Sequence, residues 1–134
     1  VVLYRIKFEA DYLEQLVWEG ARKRYLSDRT DLTEKSDQSD IKAALTILPD
    51  VPYLYFDLGN LECLSSRFIE ALEDYDMAIK LYPNMGDAYY NRGLVLIYLK
   101  DKEKGCIDLS RAGELGVADS YSVISKYCTE DDVN

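Results

Sequence analysis

Residues 52–118 repeat themselves at a fixed step, and nothing else in the chain constrains its fold as strongly. Moving that stretch along by 34 places Tyr55 on Tyr89, Gly59 on Gly93, Asp74 on Asp108, Ala78 on Ala112 and Leu81 on Leu115. The same step upstream puts Asp40 on Asp74, Ala44 on Ala78 and Pro49 on Pro83. An aromatic, then Gly, then Ala, then Pro returning at this period marks an array of helix–turn–helix repeats.

Within one period, Tyr55, Leu58, Gly59, Leu61 and Leu64 recur at spacings of three and four. Phe68, Ala71, Leu72, Tyr75, Ala78, Ile79 and Leu81 do the same. Each run is the apolar face of a helix. Ser65-Ser66-Arg67 between them has room only for a tight turn joining antiparallel helices. Pro83 and Asn84 stop the second helix, since proline donates no amide and clashes with the preceding turn. Gly59 and Ala78 are expected where the two helices cross and the backbones come close. The resulting hairpin has an apolar seam that is buried only when copies stack.

These residues resemble the tetratricopeptide-repeat family. Its pattern sets an aromatic at repeat position 4, Gly at 8, Ala at 20, an aromatic at 24, Ala at 27 and Pro at 32. Residues 52–85 supply Tyr55, Gly59, Ala71, Tyr75, Ala78 and Pro83 at those places. The next repeat keeps Tyr89, Gly93 and Ala112 but has Gly105, Leu109 and Val117 at the other three. Its tail, from Asp101 to Gly116, is similar to the last repeat of many bacterial members. The resemblance implies an all-α fold, a right-handed array of helical hairpins with a C-terminal capping helix. The expected layout is a single domain over 1–134, with a stretched first repeat at 1–51. Repeats at 52–85 and 86–117 and a capping helix at 118–129 follow.

Upstream of the good repeats the pattern loosens. Val1, Leu3, Ile6, Ala10, Leu13, Leu16, Val17, Ala21 and Tyr25 fit one helical face, so 1–26 is expected as a long first helix. The polar segment 27–38 reads as a solvated loop. Asp31 with Glu34 is a candidate capping box for the following helix, with Ser36 and Ser39 as rival caps. That helix runs through Ile41, Ala44, Leu45 and Leu48 to Pro49. At the other end, Tyr121, Val123, Ile124 and Tyr127 make the apolar side of the terminal helix, which covers the last seam.

Charge and composition narrow the functions. The net charge of −9, from 25 acidic and 16 basic residues, opposes binding of nucleic acid, whose phosphates are held by Lys and Arg. No apolar run is long enough to span a membrane, so no direct insertion is expected. There is no histidine, which removes His-based triads, Cys–His pairs and His zinc sites. The scattered glycines form no phosphate loop, and adjacent acids such as Glu73 and Asp74 read as solvated faces. No catalytic residue, metal or cofactor is expected. Asp40, Asp74 and Asp108 read as structural, each joining neighbouring helices. Cys63, Cys106 and Cys128 are an odd and unpatterned set, which points to reduced thiols and a cytoplasmic setting. The chain opens on Val1 rather than Met, the mark of a fragment or processed form, so an upstream signal stays open.

The resemblance also implies a ligand groove, lined by the first helix of each pair at repeat positions 2, 5, 9, 12 and 13. These are Tyr53, Phe56, Asn60, Cys63 and Leu64 in one repeat and Asp87, Tyr90, Leu94, Ile97 and Tyr98 in the next. Most are apolar or aromatic, as contact surfaces are. Chaperone-binding members clamp a terminal carboxylate with two asparagines and three cations. Asn60 and Asn91 match the asparagines, but Phe56, Tyr121 and Ser125 replace the cations, so the carboxylate has no charge partner. The expected function is a non-catalytic, bacterial protein-interaction module that takes a peptide or helix in a tyrosine-rich groove. The alternative is a structural element whose groove is filled by its own first helix or by a second copy in a homodimer.

Overall fold

A computed structural model describes residues 16–17 and 34–129, with side chains from 38 onward in the longer stretch. Six helices follow one another: α1 (Glu34–Ile47), α2 (Pro52–Leu64), α3 (Phe68–Leu81), α4 (Gly86–Tyr98), α5 (Lys102–Glu114) and α6 (Ser120–Tyr127). Every regular element among the described residues is a helix, as the periodicity predicts. Leu16 and Val17 are helical as well; the rest of 1–26 lies outside the described residues. The segment expected as a loop needs correction at its end. Helix α1 begins at Glu34, inside the polar stretch, where no apolar stripe announces a helix. Residues 27–33, including the capping-box Asp31, lie outside the described part.

Two compact units result, one holding α1–α3 and the other α4–α6 with Val17. In the first, α2 packs against α3 on one side and α1 on the other. Ile41 of α1 meets Leu58 and Leu61 of α2, with Leu45, Leu54 and Leu64 packed around them. Helix α2 is apolar nearly all round, as befits a helix covered on two faces. Its start is set by Pro52 in the first turn, where the missing amide costs nothing. In the second unit α4 pairs with α5, and α6 lies on α5.

The turns inside the hairpins share one chemistry. Ser66 and Lys100 take left-handed φ values of 60° and 75°. After α2, the Arg67 amide donates to the Glu62 carbonyl and the Ser66 amide to that of Cys63. After α4, the Asp101 amide donates to Leu96 and the Lys100 amide to Ile97. Helix α5 ends the same way, with Gly116 at φ 100°. These paired bonds satisfy the last helical carbonyls and reverse the chain.

The crossing points are tighter than the sequence implies. A Cβ on Gly59 would lie 2.7 Å from Cε1 of Tyr75, so it is the Tyr75 ring that requires a glycine there. In the second hairpin a Cβ on Gly93 would meet the Gly105 carbonyl oxygen at 2.9 Å. Cysteine usage is a further correction. Cys106 and Cys128 form a disulfide with Cα atoms 5.8 Å apart. Only Cys63 remains a free thiol among the three cysteines, and it is buried.

Candidate partner-binding face

Of the residues expected to line a groove on α2, three are turned into the hairpin. Tyr75 of α3 is wholly buried and collects them. Its hydroxyl donates to Oδ1 of Asn60 at 2.6 Å and lies 3.4 Å from Sγ of Cys63. Its ring is tilted against that of Phe56, with centroids 6.0 Å apart. Phe56, Asn60 and Cys63 are each at most 2% exposed, so they form a buried cluster and not an open surface. Burial pushes the Cys63 thiol up to about 12, aided by the charge of Glu62 and opposed by the Tyr75 hydrogen bond. Such a thiol is inert. Leu64 packs onto the α1–α2 core. Tyr53 alone of the five is exposed, and its ring stands 6.5 Å from that of Tyr82.

On α4 the expected residues divide the same way. Asn91, Leu94 and Ile97 are buried, whereas Asp87 is exposed and Tyr90 and Tyr98 are half-buried. Ile97 is taken up by α5, since a Cβ on Gly105 would lie 2.5 Å from its Cγ1. Of the expected positions on this helix, Asp87 is thus open to solvent and Tyr90 and Tyr98 are partly so.

The repeated aspartates do not share one role. Asp108 receives a two-pronged contact from Arg92, Nε to Oδ2 at 2.7 Å and Nη2 to Oδ1 at 2.8 Å. The Arg92 guanidinium also lies 5.4 Å from the centre of the Tyr89 ring, with that of Arg111 at 6.0 Å. One repeat earlier, Leu58 stands where Arg92 does. Among the described residues no arginine pairs with Asp74, and its carboxyl is pushed up to about 7 by burial and then by the charges of Glu62 and Glu73. Asp40 is exposed on α1.

A further polar clasp in this unit is invisible in the periodicity. Arg67, in the α2–α3 turn, donates from Nε to Oε2 of Glu62 at 2.5 Å and from Nη2 to Oε1 of Gln38 at 2.7 Å. Nε2 of Gln38 donates to the other Glu62 oxygen at 2.9 Å, closing the ring from α1 to α2. Its only sequence signal is a lone cation in a turn beside an acid. Ile47 and Leu48, at the end of α1, are also strongly exposed.

Among the described residues no three of His, Cys, Asp or Glu come together as metal ligands. No described helix is long and apolar enough to cross a membrane.

No family model matches the chain, and no curated protein matches it either. Among solved structures it is similar to the first tetratricopeptide-repeat domain of Spaghetti (RPAP3) bound to the HSP90 peptide SRMEEVD. The TM-score is 0.67 over 86% of this chain and 90% of that chain, at 18% sequence identity. An identity this low speaks to architecture alone. The chain therefore has the all-helical, helical-hairpin fold of a tetratricopeptide-repeat domain.

Proposed function

We propose that this chain is a non-catalytic protein-interaction module that binds a peptide or a helix. The observation that carries the reading is the shared fold with a repeat domain solved around a bound peptide. On this reading 1–134 is one repeat domain, and the helices that open each hairpin supply the contacts. Tyr90 and Tyr98 of α4 are the anchors, because tyrosine offers large contact area with few torsions to freeze. Asp87 lies one turn before Tyr90 and adds a charge for a basic side chain, in keeping with the net charge of −9. In the other unit, Tyr53 of α2 is the one exposed residue of the five expected there. The disulfide between Cys106 and Cys128 withdraws the support that reduced thiols lent to a cytoplasmic setting and favours an oxidising one.

The test is capture of a partner from lysate by the wild-type chain and by the Tyr90→Ala/Tyr98→Ala variant. Loss of the captured band, with far-ultraviolet circular dichroism unchanged, is the expected result. Equal capture by both proteins rejects the α4 assignment.

One observation favours the structural alternative. Val17 is only 3% exposed and groups with α4–α6, while Leu94 at a groove position of α4 is fully buried. Both fit a groove occupied by the chain's own N-terminal segment. Light scattering across a hundredfold dilution, together with Val17→Asp, separates the readings. A monomer whose partner capture rises in the variant supports self-occupancy; a dimer that persists on dilution supports a second copy.

A further inference from the structure

The Cys106–Cys128 bridge joins the first half of α5 to the residue that directly follows α6, spanning 22 residues of chain. Both cysteines keep some solvent exposure. What the bridge holds in place is small. Helix α6 has eight residues, well short of the ~12–15 that make an isolated helix even marginal in water. Val123 and Tyr127 are buried, and the Tyr121 ring sits over Gly113 of α5, where a Cβ would come within 2.9 Å. Ser120 opens the helix with a buried hydroxyl that has no hydrogen-bond partner. At its far end the Cys128 amide closes the last turn onto Ile124. The covalent link thus sits at the end of the helix farthest from its connection to α5.

We propose that this disulfide is a redox latch for the terminal helix. With the bridge closed, α6 is held on α5; with it open, α6 detaches in a local equilibrium while the hairpins stay folded. The reductant is a dithiol. One of its thiolates attacks a sulfur of the bridge, the S–S bond breaks, and the other cysteine leaves as a thiolate that takes up a proton. The second thiol of the reductant then displaces the first cysteine from the mixed disulfide. Two electrons and two protons end on Cys106 and Cys128, and the dithiol leaves as a cyclic disulfide. A bridge between two half-buried cysteines is more open to that attack than the buried Cys63.

Hydrogen exchange read by mass spectrometry, before and after dithiothreitol, tests the latch on the full chain. Closing a loop of 22 residues changes the accessible chain states enough that opening of α6 should rise on the order of 100-fold on reduction. Amides of Tyr121 to Cys128 are expected to exchange faster while those of α2–α4 hold their rates. Oxidised glutathione should restore protection, and Cys106→Ser/Cys128→Ser should show the fast pattern with or without reductant. Unchanged exchange in α6 on reduction overturns the proposal, as does a uniform rise across all helices. Titration of three free thiols in the air-oxidised protein overturns it too.

Discussion

Ile97 and Gly105 meet across the α4–α5 seam so closely that a Cβ on Gly105 would lie 2.5 Å from Ile97 Cγ1 and 2.7 Å from the Gly93 carbonyl oxygen. One repeat earlier the same two positions hold Cys63 and Ala71. The departure from the family's alanine at 105 therefore accompanies a bulkier residue at 97. Gly105→Ala, which restores the family residue, is expected to destabilise the chain. Overpacking costs about 1–3 kcal/mol, against a helix-propensity gain of about 1 kcal/mol. The loss should shrink but not vanish in an Ile97→Ala background, which removes the Cγ1 contact and leaves the one to the Gly93 carbonyl oxygen. Urea midpoints of the four proteins in this cycle give the coupling, and simple additivity would reject the steric explanation.

Ser66 and Lys100 are the next pair to test. Both adopt a backbone conformation that glycine takes without strain, and Gly116 takes it at the end of α5. A side chain in the left-handed region costs roughly 1–2 kcal/mol, partly returned by the lower freedom of a non-glycine in the unfolded chain. Ser66→Gly and Lys100→Gly should each raise stability by about 0.5–1 kcal/mol. Gly116→Ala should lower it by a similar amount, with no steric contribution, since nothing lies within 4 Å of its Cβ position. Thermal midpoints that move the opposite way would mean that Ser66 or Lys100 makes a compensating contact.

The Arg92–Asp108 pair is a stronger test of electrostatics, because Asp108 is 8% exposed in its side chain. Arg92→Leu leaves a buried carboxylate without its cation and should cost about 3–5 kcal/mol. Asp108→Asn leaves Arg92 partly solvated, so its cost should be smaller. In the double variant Arg92→Leu/Asp108→Asn most of the loss should return, since no uncompensated charge remains. A double variant as unstable as Arg92→Leu alone would assign the loss to packing over Tyr89 instead.

The hairpins are legible in the sequence because apolar spacing, turn length and helix-stopping proline all act locally. Ser65-Ser66-Arg67 falls between α2 and α3 for that reason. The groove positions are less so. Phe56, Asn60 and Cys63 recur at spacings that put them on one face of α2, but periodicity does not say whether Tyr75 will claim that face. Disulfide pairing is harder still. Cys106 and Cys128 are adjacent only because α6 returns along α5, a tertiary fact with no signature in their spacing. The clasp of Gln38, Glu62 and Arg67 has the same origin. Its members come from α1, α2 and a turn, and each alone has the residue type of an ordinary surface position.

Asp74 makes the stability of the folded chain depend on pH. Burial raises its carboxyl from 3.8 to about 7, helped by Glu62 and Glu73 and more weakly by Glu70, against a lowering by Lys42. Between those two values the unfolded chain has lost the proton while the folded chain keeps it, so the folded state binds more protons. Stability then falls as pH rises through this window. The penalty is absent below the unfolded value and complete above the folded one. Asp74→Asn keeps the shape and removes the charge. Its urea midpoint should match that of the wild type near pH 4 and exceed it at pH 8, with the difference opening between the two. Solvent access to the carboxyl limits the size of the gain but not its sign. A gain equal at both ends would mean that packing, and not ionisation, separates the two proteins. A loss at pH 8 would mean that the carboxylate is held by Lys42 and is an asset in the folded chain.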